Sequence, residues 1–136
     1  MKQLNTIQKL ETLNDIFALD EPGPGGAHHL YQICRHGTAR ISEEAGDTQE
    51  FRTRPENMLA TIQMQCGSRR DKTSIHGVID TDLLEIVRDR LISFQEGPFH
   101  CPDNAMALIH VEEALLWLNK RVEDRATRGV LGTEQE

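Results

Sequence analysis

The sequence predicts an α+β fold, an antiparallel β-sheet followed by a C-terminal helical hairpin. Residues 59–66 alternate Ile62, Met64 and Cys66 with Thr61, Gln63 and Gln65, the period of a strand with one face inward. Beyond residue 80 the apolar spacing changes to threes and fours, the period of a helix. A Gly97-Pro98 break followed by a second long apolar stripe completes the hairpin pattern.

Taken in order, residues 10–17 place Leu10, Leu13, Ile16 and Phe17 at helical spacing, so a short helix is expected there. It stops at the rigid stretch from Asp20 to Gly26 (DEPGPGG), which reads as a connector into a strand in preference to a glycine loop approaching a ligand. Residues 28–36 (HHLYQICRH) have no helical period and read as a strand. The polar stretch 42–57 cannot build a core and is expected as a hairpin or an excursion from the sheet.

The first helix of the C-terminal hairpin shows Leu83, Val87, Leu91 and Phe94 on one face, with Asp80, Thr81 and Asp82 available to cap it. The second starts at Pro102, since proline is tolerated at the first helical position, and carries Leu108, Val111, Leu115, Leu118 and Val122 as a coiled-coil-like seam. Gly129 is a natural stop. At 136 residues the chain is expected to be a single domain, sheet-rich over about 28–79 and a helical hairpin over about 80–128.

Composition narrows the function. A net charge of -7 excludes a general binder of duplex nucleic acid, which needs a broad basic face, but leaves room for a small anionic ligand held by a local arginine cluster. No stretch approaches the ~20 apolar residues that span a bilayer, and the first residues lack a signal peptide's pattern, so no membrane partner is expected. Three widely spaced cysteines, Cys34, Cys66 and Cys101, suit free thiols in a cytoplasm. With hydrophobic residues at 38% and aromatics at 4%, the core is lean and packing against a second copy would help.

Catalytic and metal motifs fail on spacing. His28, His29, Cys34 and His36 have no second element to complete a tetrahedral zinc set, and His110-Val111-Glu112 lacks the downstream Pro-Cys-x-x-Cys of a zinc deaminase. No metal or other cofactor is therefore expected. In the hairpin loop, Phe94 and Phe99 flank a Gly-Pro turn and could stack on a base; periodicity alone favours their plugging the hairpin's end. Arg121 and Arg125 share a helix face and could clamp a pyrophosphate, or could serve the helix dipole and pair with Glu123 and Asp124.

The string from Phe94 to Thr133, FQEGPFHCPDNAMALIHVEEALLWLNKRVEDRATRGVLGT, together with PGPGGAHHLY at 22–31, resembles the Thoeris anti-defence protein one family of phage sponges. The resemblance covers residues 20–36 and 75–133, with 37–74 only loosely similar and His28 standing where Asn is common. It implies an antiparallel sheet with a helical hairpin, a homo-oligomer from dimer to hexamer, and action in the host bacterial cytoplasm. The ligand it implies is a cyclic ADP-ribose isomer, glycocyclic ADP-ribose, bound and not degraded; some members also bind cyclic di- or trinucleotides of the CBASS system. By motif, Phe94 would stack on adenine, Asn104 would supply a hydrogen-bonding amide, and Arg121 and Arg125 would contact phosphates. Arg69 is a further ligand-binding candidate, while His29 and Tyr31 match the upstream motif with no role assigned.

Asn104 and Arg121 are seventeen residues apart on one expected helix, a separation of roughly 25 Å. One small ligand cannot touch both on the same helix, so a pocket using all four residues must join two protomers with antiparallel hairpins. The Leu108, Leu115 and Leu118 seam offers a surface for that pairing. Two other readings compete: a nucleotide hydrolase or cyclic-phosphodiester-cleaving enzyme using His28, His29 or His36 as acid or base, and an interaction module whose hairpin only dimerises.

Overall fold

The structure is a computed structural model that describes residues 1–44 and 48–129. Residues 45–47 of the expected excursion and 130–133 of the hairpin motif lie outside the described residues. Six strands precede two helices: β1 (Lys2–Gln3), β2 (Asn14–Ala18), β3 (Leu30–Arg35), β4 (Arg40–Glu44), β5 (Thr48–Arg52), β6 (Met58–Gln63), α1 (Asp80–Glu96) and α2 (Pro102–Thr127). The chain divides into two compact units, one holding Met1–Cys66 with Thr73–Gly77, the other Gly67–Lys72 with Val78–Glu136.

In the first unit an antiparallel sheet runs in the order β1-β2-β3-β6, and β4 and β5 form a separate two-stranded antiparallel ribbon. The ribbon is the excursion expected from the polar stretch. Phe17, Ala18 and Cys34 are fully buried, and Phe51 of the ribbon packs its ring 5.1 Å from that of Phe17. Gln32 is buried with them because both ends of its amide are satisfied: Nε2 donates to the Ala60 carbonyl at 2.9 Å and Oε1 accepts from Thr61 Oγ1 at 2.5 Å. A short bridge between Cys66 and Ile75 closes the unit. Gly77 lies so close to the chain that a Cβ there would overlap the Gln63 carbonyl.

The helix expected at residues 10–17 is not formed. Leu10 and Leu13 are 83% and 79% exposed, and the chain instead enters β2, where Asp15 and Phe17 alternate inward. Two of the four apolar positions belong to a strand of period two and two to an exposed turn, so their helical spacing is coincidental. The glycine-proline stretch is the expected connector, a 3-10 turn at Pro24–Gly26 between β2 and β3.

In the second unit α1 and α2 pack as a hairpin. The Asp82 carboxylate accepts the Ile79 N–H at 2.9 Å and so caps α1, as expected of the acidic start. Half-buried positions on α1 include Leu84, Arg88, Leu91 and Gln95, spaced by four, three and four, whereas Val87 is 43% exposed. Leu83, Leu91 and Phe94 of the face read from the sequence are half-buried as expected, and Leu84, Arg88 and Gln95 widen that face. Arg88 Nε donates to Glu112 of α2 at 2.9 Å, and Gln95 Oε1 accepts the Cys101 N–H at 3.1 Å, which explains polar residues on a packed face. On α2, Leu108, Val111, Leu115 and Leu118 are half-buried along one stripe, while Met106, Ile109, Leu116 and Trp117 are exposed. The seam is already partly covered within the chain, so the apolar surface left for a second copy is the neighbouring Met106, Ile109 and Leu116 face.

Candidate ligand site on the helical hairpin

The loop end of the hairpin is built by Gly97 and Pro98, which stop α1, and Cys101, whose Sγ accepts the Asn104 N–H at 3.4 Å to cap α2. Asn104 is the third residue of α2, and its Nδ2 donates to the Phe99 carbonyl at 3.4 Å, tying helix to loop. Its amide oxygen accepts from no described residue. Phe94, in the last turn of α1, is half-buried, with the Arg90 guanidinium 5.3 Å from its ring centroid. Phe99 is 73% exposed and plugs nothing within the chain.

The far end of α2 holds the arginines. Trp117, Lys120, Arg121, Asp124, Arg125 and Arg128 line an open cavity of about 560 Å³. The Asp124 carboxylate is taken by Lys120 at 2.9 Å, and Glu123 accepts from Asn119 at 3.1 Å. Asp124 and Glu123 thus have these other partners, and Arg121 has no carboxylate partner among the described residues. Trp117 is 64% exposed, one turn before Arg121 on the same face. The sequence reading passed over it, although the single tryptophan at i−4 from Arg121 and i−8 from Arg125 is a legible signal.

The expected site residues therefore fall into separate places. Phe94 and Asn104 share the loop end, Arg121 and Arg125 share the other, and the unbroken 26-residue α2 carries Asn104 near its start and the two arginines near its end. Arg69 is exposed in the turn 67–72, grouped with the hairpin unit. In the first unit, Asp20 organises the turn before β3. Its carboxylate accepts the His29 N–H at 2.9 Å and the Leu30 N–H at 3.2 Å, and its carbonyl lies 2.6 Å from His28 Nδ1. Burial alone would raise the Asp20 carboxyl; the backbone donors and then His28 outweigh it and hold the group below the ordinary carboxylate value. His36 Nδ1 lies 2.8 Å from Asp15, while Cys34 is buried in β3, where burial pushes its thiol up. His28 and His36 flank β3 eight residues apart, about 26 Å of extended chain, so they do not form an acid–base pair.

The hairpin thus carries an aromatic–amide pair at one end and an arginine cluster at the other. The chain belongs to the Acb2/Tad1 hairpin-domain family, whose pattern it matches over residues 56–123. It is also 45% identical over 78 residues to Thoeris anti-defense 1 of Bacillus phage SBSphiJ7, across 57% of this chain and 54% of that one. The aligned region thus spans about half the length of that relative.

Proposed function

We propose that this protein captures a glycocyclic ADP-ribose signal stoichiometrically in the host bacterial cytoplasm, blocking Thoeris immunity without degrading the ligand. The observation that supports it most is the split of the binding groups along one unbroken helix. Asn104 and Arg121 are roughly 25 Å apart, so a complete pocket needs the Phe94–Asn104 end of one protomer and the Arg121–Arg125 end of another. Stacking on Phe94, a hydrogen bond to Asn104 and two guanidinium–phosphate contacts suit an adenine-containing pyrophosphate. Competing for a nanomolar signal requires a binding free energy of about -12 kcal/mol, which near-complete enclosure between two protomers can supply. Arg69 belongs to the same reading as a further contact to the ligand, and cyclic di- or trinucleotides of CBASS belong to it as further ligands. Homo-oligomers from dimer to hexamer provide the pockets.

Phe94→Ala and Asn104→Ala are each expected to cut ligand capture by at least tenfold with fold and assembly intact. The sharper experiment mixes Phe94→Ala with an Arg121→Ala, Arg125→Ala variant under conditions of subunit exchange. Shared pockets restore capture to about a quarter of wild-type sites, since half of randomly exchanged dimers are mixed and half of their pockets are whole. Pockets built within single chains restore none, and that result after confirmed exchange would refute the arrangement.

A further inference from the structure

The β4–β5 ribbon carries a second basic cavity, remote in sequence from the hairpin arginines. Thr38, Arg40, Ser42, Arg52, Thr53 and Arg54 line a hollow of about 490 Å³. Arg40 and Arg52 are direct cross-strand partners in the ribbon's register. Like charges in that position repel, so the pair opposes the stability of the ribbon that carries it. The acidic chain as a whole does not explain the cluster, because a net charge of -7 disfavours chance accumulation of cations on one face.

Neighbouring carboxylates offset the charge only in part. Glu50 lies 2.9 Å from Arg52 and Glu56 lies 4.0 Å from Arg54, but Arg40 has no carboxylate partner among the described residues. The opposite face of the ribbon is anchored, with Phe51 against Phe17, which fixes where the guanidinium face stands. The Thr38 and Ser42 hydroxyls already donate to the Arg35 and Glu50 carbonyls at 2.6 and 3.5 Å, so the donors offered to a ligand are the fork-shaped guanidinium groups, which suit tetrahedral phosphate oxygens. The concave form fits a soluble ligand better than a membrane surface.

We propose that this hollow is a binding site for a small phosphate-bearing molecule, independent of the hairpin site. A bound phosphate would bridge Arg40 and Arg52 and turn their repulsion into joint attraction. Inorganic pyrophosphate is the probe. It should be titrated calorimetrically into the full chain carrying Arg121→Gln and Arg125→Gln, so that the hairpin arginines cannot contribute. The expected result is saturable binding that weakens at least tenfold when Arg40→Gln and Arg54→Gln are added. The ligand-free Arg40→Gln protein should also melt higher than its parent, because one member of the repelling pair is gone. Absence of pyrophosphate binding in the hairpin-arginine background, or affinity unchanged by the ribbon substitutions, would overturn the proposal and leave the hairpin reading untouched.

Discussion

Asp20 shows how one residue can position a whole segment. Its carboxylate gathers the backbone donors at the start of β3 and fixes His28 and His29, so its ionised form is part of the native structure. Because its carboxyl is held below the ordinary value of about 3.9 in the folded state, its contribution is fully present above that pH. The contribution is lost as pH falls through the lower folded value. Denaturant titrations across pH 2–6 should therefore show wild-type stability declining below about pH 4, with a shallower decline in Asp20→Asn. Asp20→Asn should also be less stable at pH 7 by about 1–3 kcal/mol, the cost of weakening buried charge-assisted hydrogen bonds. Equal acid slopes in the two proteins would contradict this role.

Trp117 escaped the sequence reading although its spacing from the arginines is visible there. As the single tryptophan, exposed beside Arg121, it should report on the arginine cavity: its emission should shift or quench when a cyclic ADP-ribose isomer binds. Unchanged emission at saturation would place the ligand away from Trp117. The positions of Phe94, Asn104, Arg121 and Arg125 on the hairpin were legible from the Gly-Pro turn and the long helix, whereas a ligand role for them comes from the family resemblance and not from those local signals. The ribbon arginines were not legible, since Arg40 and Arg52 become neighbours only through strand pairing across twelve residues.

At the scale of elements, the hairpin was the most legible part because its period repeats over many turns, whereas the opening strand was misread from four residues. Two helical repeats in so short a segment do not discriminate a helix from a strand with an exposed turn. On α1, Leu83, Leu91 and Phe94 were legible as the packed face, whereas Arg88 and Gln95 were not, because they join that side to meet Glu112 and the Cys101 amide and a count of apolar residues passes over them. Close approach of Gly77 to β6 was likewise invisible without the fold. There, Gly77→Ala is expected to destabilise by about 1–3 kcal/mol through overpacking against the Gln63 carbonyl, measurable as a lower denaturation midpoint. A midpoint equal to or above wild type would mean that the segment before α1 yields easily.

For the whole molecule, the division of labour follows from what each unit can bury. The sheet unit encloses a small core around Phe17, Ala18 and Cys34, while the hairpin leaves Met106, Ile109, Leu116 and Trp117 exposed on one long helix. Apolar exposure of that kind on one long helix suits assembly, and assembly is what the proposed pocket needs to bring its two halves together. On the proposed reading the protein inhibits by occupancy, so its effect is limited by its concentration and not by turnover.

Capture without conversion is therefore the point to measure. The purified protein should be incubated with an equimolar amount of glycocyclic ADP-ribose, separated from free ligand, heat-denatured, and the released small molecules quantified by mass spectrometry. The account predicts recovery of intact ligand in near-stoichiometric yield however long the incubation lasts. Time-dependent appearance of a linear or hydrolysed nucleotide in place of the ligand would contradict it and establish an enzyme.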